Sequence, residues 1–260
     1  MYKKFAIAVV LVALLGVIAF GAVGSVQAMS IAPVDGSAAA QGRGRGPGGT
    51  TGTGTGTGTG SGTAAGGQVN LPPASGELSA DEAAALLYLR EEEKLAHDVY
   101  VTLYAEWGLP VFQNISRSEQ THTDAIKALL DRYGLADPAS ASVGVFTNPS
   151  LQALYDALVA QGSKSVADAL KVGAAIEEID ILDLQERLAQ TDNADIQQVY
   201  NSLMSGSYNH LRAFASNLQS QTGETYQPQH LSAEAYQAIV SGALGSGNRS
   251  GQGGRGGGRP

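Results

Sequence analysis

The hydrophobic pattern of this chain is helical over one long segment, from Leu78 to about Thr222. Within this segment, apolar residues recur at steps of three and four, which places them along one face of a helix. The alternation of apolar and polar residues that marks a half-buried β-strand is lacking, and so are β-hairpin turn sequences. The pattern therefore predicts an all-α fold, and about 145 residues are ample for a single hydrophobic core.

The helical segment divides into four long helices, each with its own start and stop signals. Ser79 and Glu82 form a capping box before the first helix, and Pro110 is a favoured first residue for the second. Gly108 and Gly134 are typical of the position just after a helix end. The predicted helices run from Ser79 to Trp107, from Pro110 to Tyr133, from near Ser165 to about Ala189, and from just after Asn193 to near Gly223.

A longer connection lies between the second and third helices. It contains Pro138 and a turn sequence at 148–150, followed by a short amphipathic helix from Leu151 to Gln161. A C-terminal arm at 224–241 carries one more short helix. Four long helices with one long crossover are typical of the ferritin-like four-helix bundle, so the sequence predicts that fold for residues 77–241.

Glu119 and His122 occupy positions of the second helix where the pattern otherwise has apolar core residues. A carboxylate and an imidazole are costly to bury unless they are paired or bind a metal ion. Glu-x-x-His facing the core is the ligand pattern of di-iron helix bundles. A competing interpretation stays open, because Ser116 with Glu119 also fits a capping box, which would start the helix later and expose Glu119. The inward series is Phe112, Ile115, Glu119, His122, Ile126, Leu129 and Tyr133.

The other long helices also carry ionisable residues on their inward faces. These residues are Glu93 on the first helix, Glu177 and Asp180 on the third, and His210 on the fourth. Periodicity favours Glu177 over Glu178 as the inward residue of the third helix. If these groups lie at matching heights, they form one buried cluster, and pairing or metal binding is the usual way to stabilise such a cluster.

Several neighbouring residues receive less specific predictions. Glu91 and Glu92 are expected at the surface, although either would face inward if the phase of the first helix were shifted. His97 is expected beside the inward face rather than on it. Tyr100 and Tyr200 could both approach a metal ion, and the sequence does not choose between them.

Four motifs carry a resemblance to a known family: REEEKLAHDVY, NISRSEQTH, GAAIEEIDILDL and GSYNHLRAF. In this order and spacing they resemble an uncharacterised ferritin-like family, domain of unknown function 2202, over about residues 78–220. More distantly, they are similar to the rubrerythrin and ferritin di-iron carboxylate proteins. What the resemblance implies is a set of five metal ligands: Glu93, Glu119, His122, Glu177 and His210.

One position departs from the di-iron pattern. A di-iron protein commonly carries a second Glu-x-x-His on its last helix, whereas this chain has Ser207 three residues before His210. One carboxylate is therefore missing from the expected set. Asp180 lies one turn after Glu177 and is an additional candidate for an oxygen ligand, although its side chain is shorter than that of glutamate.

Composition narrows the choice of metal and of partner. Because the chain has no cysteine, it can form neither a disulfide nor a thiolate metal site, and the remaining oxygen and imidazole ligands suit iron first, then manganese or zinc. The net charge is −8, and the helical segment is more acidic than the whole chain. An acidic domain is compatible with binding metal ions and argues against binding nucleic acid. A homodimer is compatible with the sequence.

The chain ends predict export. Residues 1–28 have a basic start, an uncharged apolar run and a small-x-small cleavage site, the layout of a secretory signal peptide. The apolar run is also long enough for a retained membrane anchor, which would tether the domain. Residues 29–76 and 242–260 are glycine-rich and are expected to be disordered, as a linker and a tail. The domain is therefore predicted to be secreted or otherwise extracytoplasmic, in the cell envelope.

Two functions fit these observations. The first is an exported, ferritin-like metal-binding protein, with a di-iron centre and chemistry of the ferroxidase, peroxidase or oxidase type. The second is a non-enzymatic binding or structural module of the cell envelope, holding one ion or none. Ser207 in place of a ligand glutamate is the observation that keeps the second hypothesis open.

Overall fold

The structure of the protein is a computed structural model that describes residues 71–74 and 76–244. In these residues the chain forms six helices and no β-strand, which confirms the prediction of an all-α fold. The predicted signal peptide or anchor, and nearly all of the predicted linker and tail, lie outside the described residues. None of the described helices is long and apolar enough to cross a membrane.

The capping residues predicted for the first two helices are found at their ends. Ser79 accepts a hydrogen bond from the backbone of Glu82, whose side chain in turn accepts one from the backbone of Ser79. Gly108 and Gly134 end the two helices with positive φ angles of 65° and 66°, a conformation that glycine adopts without steric cost. The six helices are α1 (Ala80–Trp107), α2 (Pro110–Tyr133), α3 (Pro149–Gly162), α4 (Val166–Leu188), α5 (Ala194–Thr222) and α6 (Ala233–Val240).

The start of α2 decides between the two interpretations of Glu119. Pro110 stands in the first turn of α2, so Ser116 lies inside the helix rather than at its cap. Ser116 donates a hydrogen bond to the backbone carbonyl of Gln113, three residues earlier. Glu119 is only 2% exposed. The capping alternative, which would have exposed Glu119, is therefore wrong.

The long helices pack as two antiparallel pairs that face each other. The most extensive contacts join α1 with α2 and α4 with α5. Further contacts of α2 with α5 and of α1 with α4 bring the two pairs together. The short helix α3 lies in the long connection and packs on both α1 and α4. The crossover therefore returns along the side of the molecule that α1 and α4 form.

The apolar core is divided into two clusters of buried side chains. One includes the aromatic rings of Tyr100, Phe112 and Phe214, whose centroids lie 5.1 to 6.2 Å apart. The other includes Leu89 of α1 and Leu129 of α2. Along α1 and α2, the buried residues between the two clusters are polar, and they include Glu93, Glu119 and His122. The polar positions found in the sequence thus form a layer that interrupts the core.

Buried carboxylates also hold the crossover against α1. Glu91 accepts backbone hydrogen bonds from Thr147 and Asn148, at 2.5 and 3.0 Å, and Asp98 accepts one from Gly144 at 2.8 Å. The expectation that Glu91 lies at the surface is wrong, because it is only 4% exposed. Glu91 faces the crossover loop. This loop covers a face of α1 that periodicity alone would predict to be exposed to solvent.

Candidate metal centre

The polar layer contains a first group of three side chains, Glu93, Glu119 and His122. The Nδ1 atom of His122 lies 3.2 Å from Oε2 of Glu93 and 2.9 Å from Oε2 of Glu119. The three residues offer one ligand atom each, and these atoms lie within 4.8 Å of one another. All three are buried. Since α1 contributes one residue and α2 the other two, the pairing of these helices creates the group.

A second group consists of Glu119, Glu177 and His210, whose ligand atoms also lie within 4.8 Å of one another. The Nδ1 atom of His210 lies 2.7 Å from Oε1 of Glu119 and 3.4 Å from Oε2 of Glu177. Glu119 belongs to both groups and presents a different oxygen to each imidazole. Such an arrangement would allow one carboxylate to contact two ions. The imidazole rings themselves stand 5.5 Å apart, centroid to centroid.

Three buried polar atoms of the cluster make no hydrogen bond among the described residues. His210 Nδ1 and Glu119 Oε1 lie 2.7 Å apart but are not aligned as a hydrogen bond, and neither makes another one among the described residues. Glu93 Oε1 is also buried without a hydrogen bond in this part of the chain. Buried polar atoms are nearly always hydrogen-bonded, so three exceptions in one cluster require an explanation. Metal ions bound within the two groups would provide one, with Glu93 in the first group, His210 in the second and Glu119 in both.

The charges of the cluster compensate one another. Burial raises the pKa of Glu93 to about 7, although His122 opposes this. Burial would also raise the pKa of Glu119, but His122 and His210 together hold it below its usual value. Burial lowers the pKa of an imidazole, yet Glu177 and Glu119 raise that of His210 to about 10. Glu119 and Glu93 likewise raise the pKa of His122 well above its usual value. Ionised Glu119 therefore favours the protonated forms of both imidazoles, and they in turn favour its ionised form.

Each imidazole is backed by a second contact on its far side. Ser118 Oγ lies within hydrogen-bonding distance of Nε2 of His210, at 2.9 Å, and a ring that bound an ion through Nδ1 would donate this hydrogen bond from Nε2–H. The Nε2 atom of His122 instead faces the backbone of α5 at Gly206, where an added Cβ would lie only 2.5 Å away. Both rings are thus held so that Nδ1 points toward Glu119.

Two carboxylates of the polar layer, those of Glu177 and Asp180, accept hydrogen bonds from hydroxyl groups. Tyr100 donates a hydrogen bond of 2.6 Å to Oε1 of Glu177, which selects Tyr100 over Tyr200 as the tyrosine beside the cluster. Ser207 donates a hydrogen bond to Oδ2 of Asp180. Burial raises the pKa of both Glu177 and Asp180, and neighbouring carboxylates add to the effect. Asp180 therefore lies near the cluster but outside both three-residue groups.

A pocket reaches the cluster from the side of α1, α3 and α4. Its lining includes the carboxylates of Glu93, Glu119 and Glu177, and neither candidate imidazole is among its lining residues. It encloses about 420 Å³ of empty space, including open solvent at its mouth. A small molecule entering from this side would meet the carboxylates of the cluster. The lining residues are Glu92, Glu93, Leu95, Ala96, Glu119, Leu154, Leu158, Ile176, Glu177, Ile179 and Asp180.

The structure thus brings Glu93, Glu119, His122, Glu177 and His210 together and leaves other candidates outside. His97 is half-buried and contacts Asp98 rather than the cluster. Glu178 is fully buried on another side of α4, where it accepts hydrogen bonds from the backbone of the C-terminal arm at 229–231. Glu92, also expected at the surface, is half-buried and lines the pocket.

Sequence reasoning missed the residues that back the imidazoles. Ser118 carries no signal of its own, because a serine inside a helical pattern is usually at the surface. Gly206 did carry one: a glycine inside a predicted helix costs about 1 kcal/mol relative to alanine and often marks close packing. Here the close neighbour is His122.

Comparison with known proteins gives a consistent family assignment. Residues 82–243 match the family described as "Uncharacterized protein domain (DUF2202)". The chain is 52% identical over 165 residues to uncharacterized protein MJ0754 of Methanocaldococcus jannaschii, covering 63% of this chain and 89% of that protein. It also superposes on the crystal structure of hypothetical protein MJ0754 from Methanococcus jannaschii. That match has a TM-score of 0.64 and 50% identity, over 66% of this chain and 98% of the crystallised one. The chain therefore belongs to the DUF2202 family.

Proposed function

We propose that this chain is an exported protein that binds two metal ions inside a ferritin-like four-helix bundle. The observation that carries the proposal is the pair of three-residue groups that share Glu119. Glu93 and His122 would complete the ligand set of one ion, and Glu177 and His210 that of the other. A bridging carboxylate between two such groups is how di-iron helix bundles arrange their ligands.

The packing of the helices supports the ferritin-like part of the proposal. Two antiparallel pairs, α1 with α2 and α4 with α5, are joined by one long connection that contains α3. Ligand residues come from all four long helices and face inward, as in the carboxylate bundles. Buried ionisable groups of this number are expensive without a function, since each buried charge costs several kcal/mol before it is compensated.

Iron is the metal that the ligand chemistry favours, and manganese or zinc are the alternatives. Carboxylate oxygens suit hard ions, and imidazole suits iron, zinc and copper, whereas the chain offers no thiolate. Two bound irons would supply electron exchange with dioxygen or peroxide, which is chemistry of the ferroxidase, peroxidase or oxidase type. The residues of this chain would hold the ions, exclude bulk water and give small molecules access through the pocket beside α3.

Export rests on the N-terminal sequence. The basic start, apolar run and small-x-small site in residues 1–28 support a signal peptide, and a retained segment would serve as a membrane tether. The glycine-rich linker would then keep the acidic domain at a distance from the membrane or cell surface. The proposed location of the metal-binding domain is therefore the cell envelope or the space outside the cell.

A second candidate function is a binding or structural module of the envelope with one ion or none. Ser207 favours it, because the last helix lacks one of the carboxylates of a di-iron protein. The protonated imidazoles also compensate the charge of Glu119 without a metal. In this case the polar layer would be a buried network of ion pairs.

Metal analysis distinguishes the two functions. The wild-type chain, purified and loaded with Fe(II) under anaerobic conditions, is expected to retain two ions after gel filtration. Glu119→Gln removes the shared charge and is expected to lose both ions. Glu186→Gln serves as the matched control, because Glu186 is an exposed glutamate of α4. Wild-type protein that retains no Fe(II), Mn(II) or Zn(II), and whose thermal stability none of them raises, would refute the proposal.

A further inference from the structure

The five proposed ligands leave the charge of a two-ion centre unbalanced. Glu93, Glu119 and Glu177 supply three negative charges, whereas two divalent ions carry four positive ones. A net charge in a dry interior is costly, so a buried centre is expected to contain a matching carboxylate. Di-iron bundles commonly have four glutamates, one of them on the last helix. At that position this chain has Ser207, which is fully buried.

Asp180 has the properties of the missing carboxylate. It lies on α4 one turn after Glu177, and it is 8% exposed. Its Oδ2 atom accepts the hydrogen bond from Ser207, while Oδ1 is buried and has no hydrogen-bond partner among the described residues. Asp180 lines the same pocket as Glu93, Glu119 and Glu177. A buried carboxylate with one oxygen held and the other free is available to a positive charge beside it.

The contacts between α4 and α5 set Asp180 opposite Ser207, the position that lacks the carboxylate. Glu177 and Asp180 occupy successive turns of α4, and His210 and Ser207 occupy successive turns of α5. Glu177 faces His210, with 3.4 Å between Oε2 and Nδ1, and Asp180 faces Ser207 through its hydrogen bond. In the contact between Asp180 and Ser207, the carboxylate is on α4 and the hydroxyl group is on α5. A glutamate on α5 would reach into the same space from the opposite side.

We propose that Asp180, positioned by Ser207, is the fourth carboxylate ligand of the two-ion centre. This inference rests on the proposed function. Asp180 belongs to neither three-residue group, so its role is that of a carboxylate recruited when the ions bind. Ser207 does not contact an ion in this arrangement; it is a positioning residue that fixes Oδ2 and leaves Oδ1 free.

Metal titration of Asp180→Asn tests the inference. Wild-type protein is expected to bind two Fe(II) or Mn(II) ions, and in the variant the affinity for one of them falls at least about tenfold. Asp183→Asn is the matched control, because Asp183 lies on the same helix, is half-buried, pairs with Arg187 and belongs to neither three-residue group. Asp180→Asn binding two ions with wild-type affinity would overturn the inference and leave the proposed function standing. Wild-type protein that binds no ions overturns the proposed function itself.

Two further variants keep the test decisive if Asp180→Asn does not fold. Ser207→Ala retains the carboxylate but removes its donor, and the affinity for one ion is expected to fall about 10- to 100-fold, as for other residues that orient ligands. The double variant Asp180→Ala, Ser207→Glu returns the carboxylate to α5 and is expected to regain the second ion. Unchanged affinity in Ser207→Ala contradicts the positioning role. Failure of the double variant to exceed Asp180→Ala alone contradicts the equivalence of the two positions.

Discussion

Replacing Gly206 by alanine tests whether the backbone of α5 positions His122. A Cβ at this residue would lie 2.5 Å from Nε2 and 2.7 Å from Cε1 of His122, closer than carbon and nitrogen atoms pack. The imidazole cannot simply rotate away, because its Nδ1 atom contacts Glu93 and Glu119 at 3.2 and 2.9 Å. Gly206→Ala must therefore move a proposed ligand out of its place.

The magnitude follows from two opposing effects. Overpacking a close-packed interior costs about 1–3 kcal/mol, whereas glycine to alanine inside a helix stabilises by about 0.5–1 kcal/mol. The metal-free variant is therefore expected to lose between about 0 and 2.5 kcal/mol of unfolding free energy, with a middle value of about 1 kcal/mol. Metal affinity is expected to fall by more than the 10- to 100-fold that follows from removing a residue that orients a ligand.

Chemical denaturation without metal and chelator-competition titration with metal measure the two effects separately. Ser202→Ala, at an exposed position of the same helix, controls for helix propensity and is expected to leave metal affinity unchanged. If Gly206→Ala binds metal as tightly as the wild type, then either His122 is not a ligand or it is not held against α5. The reasoning from this contact would then be refuted.

Three further results are expected. Tyr100→Phe keeps the aromatic packing but removes the donor to Glu177, so metal affinity should fall about tenfold in a titration, and an unchanged affinity would contradict the role of this hydroxyl. Glu178→Ala leaves three backbone N–H groups of the C-terminal arm without their acceptor, so the unfolding free energy should fall by about 2–4 kcal/mol while two ions still bind. If hydrogen exchange in the arm of this variant matches that of the wild type, the role of Glu178 is contradicted. The pKa values of His122 and His210 are raised, and ligation requires the neutral imidazole, so metal binding should release protons and become tighter as pH rises through neutrality. A metal affinity that does not change between about pH 6 and pH 8 would exclude these imidazoles as ligands.

The division of roles among adjacent glutamates illustrates the limit of periodicity. Glu177 and Glu178 are neighbours on α4, and both are buried, one at the cluster and the other under the C-terminal arm. A helical pattern separates an inward face from an outward one, but it cannot separate two faces that are both covered. The same holds for Glu91, which the crossover loop covers.

What the sequence determined by itself is the set of helices and the direction of their polar residues. Capping signals at Ser79, Gly108 and Gly134 set helix ends, and steps of three and four residues directed Glu119 and His122 inward. These properties depend on neighbours within about one helical turn, so they can be derived from the order of residues alone.

Only the tertiary structure decided which polar groups meet. The height of one helix relative to another is set by loops and by side-chain packing between distant segments, which no local pattern encodes. Because of this packing, Glu119 lies between two imidazoles. It is Tyr100, rather than Tyr200, that contacts Glu177, and Ser207 contacts Asp180. The periodicity of each helix fixed the direction of its side chains, and contacts between helices fixed their distances.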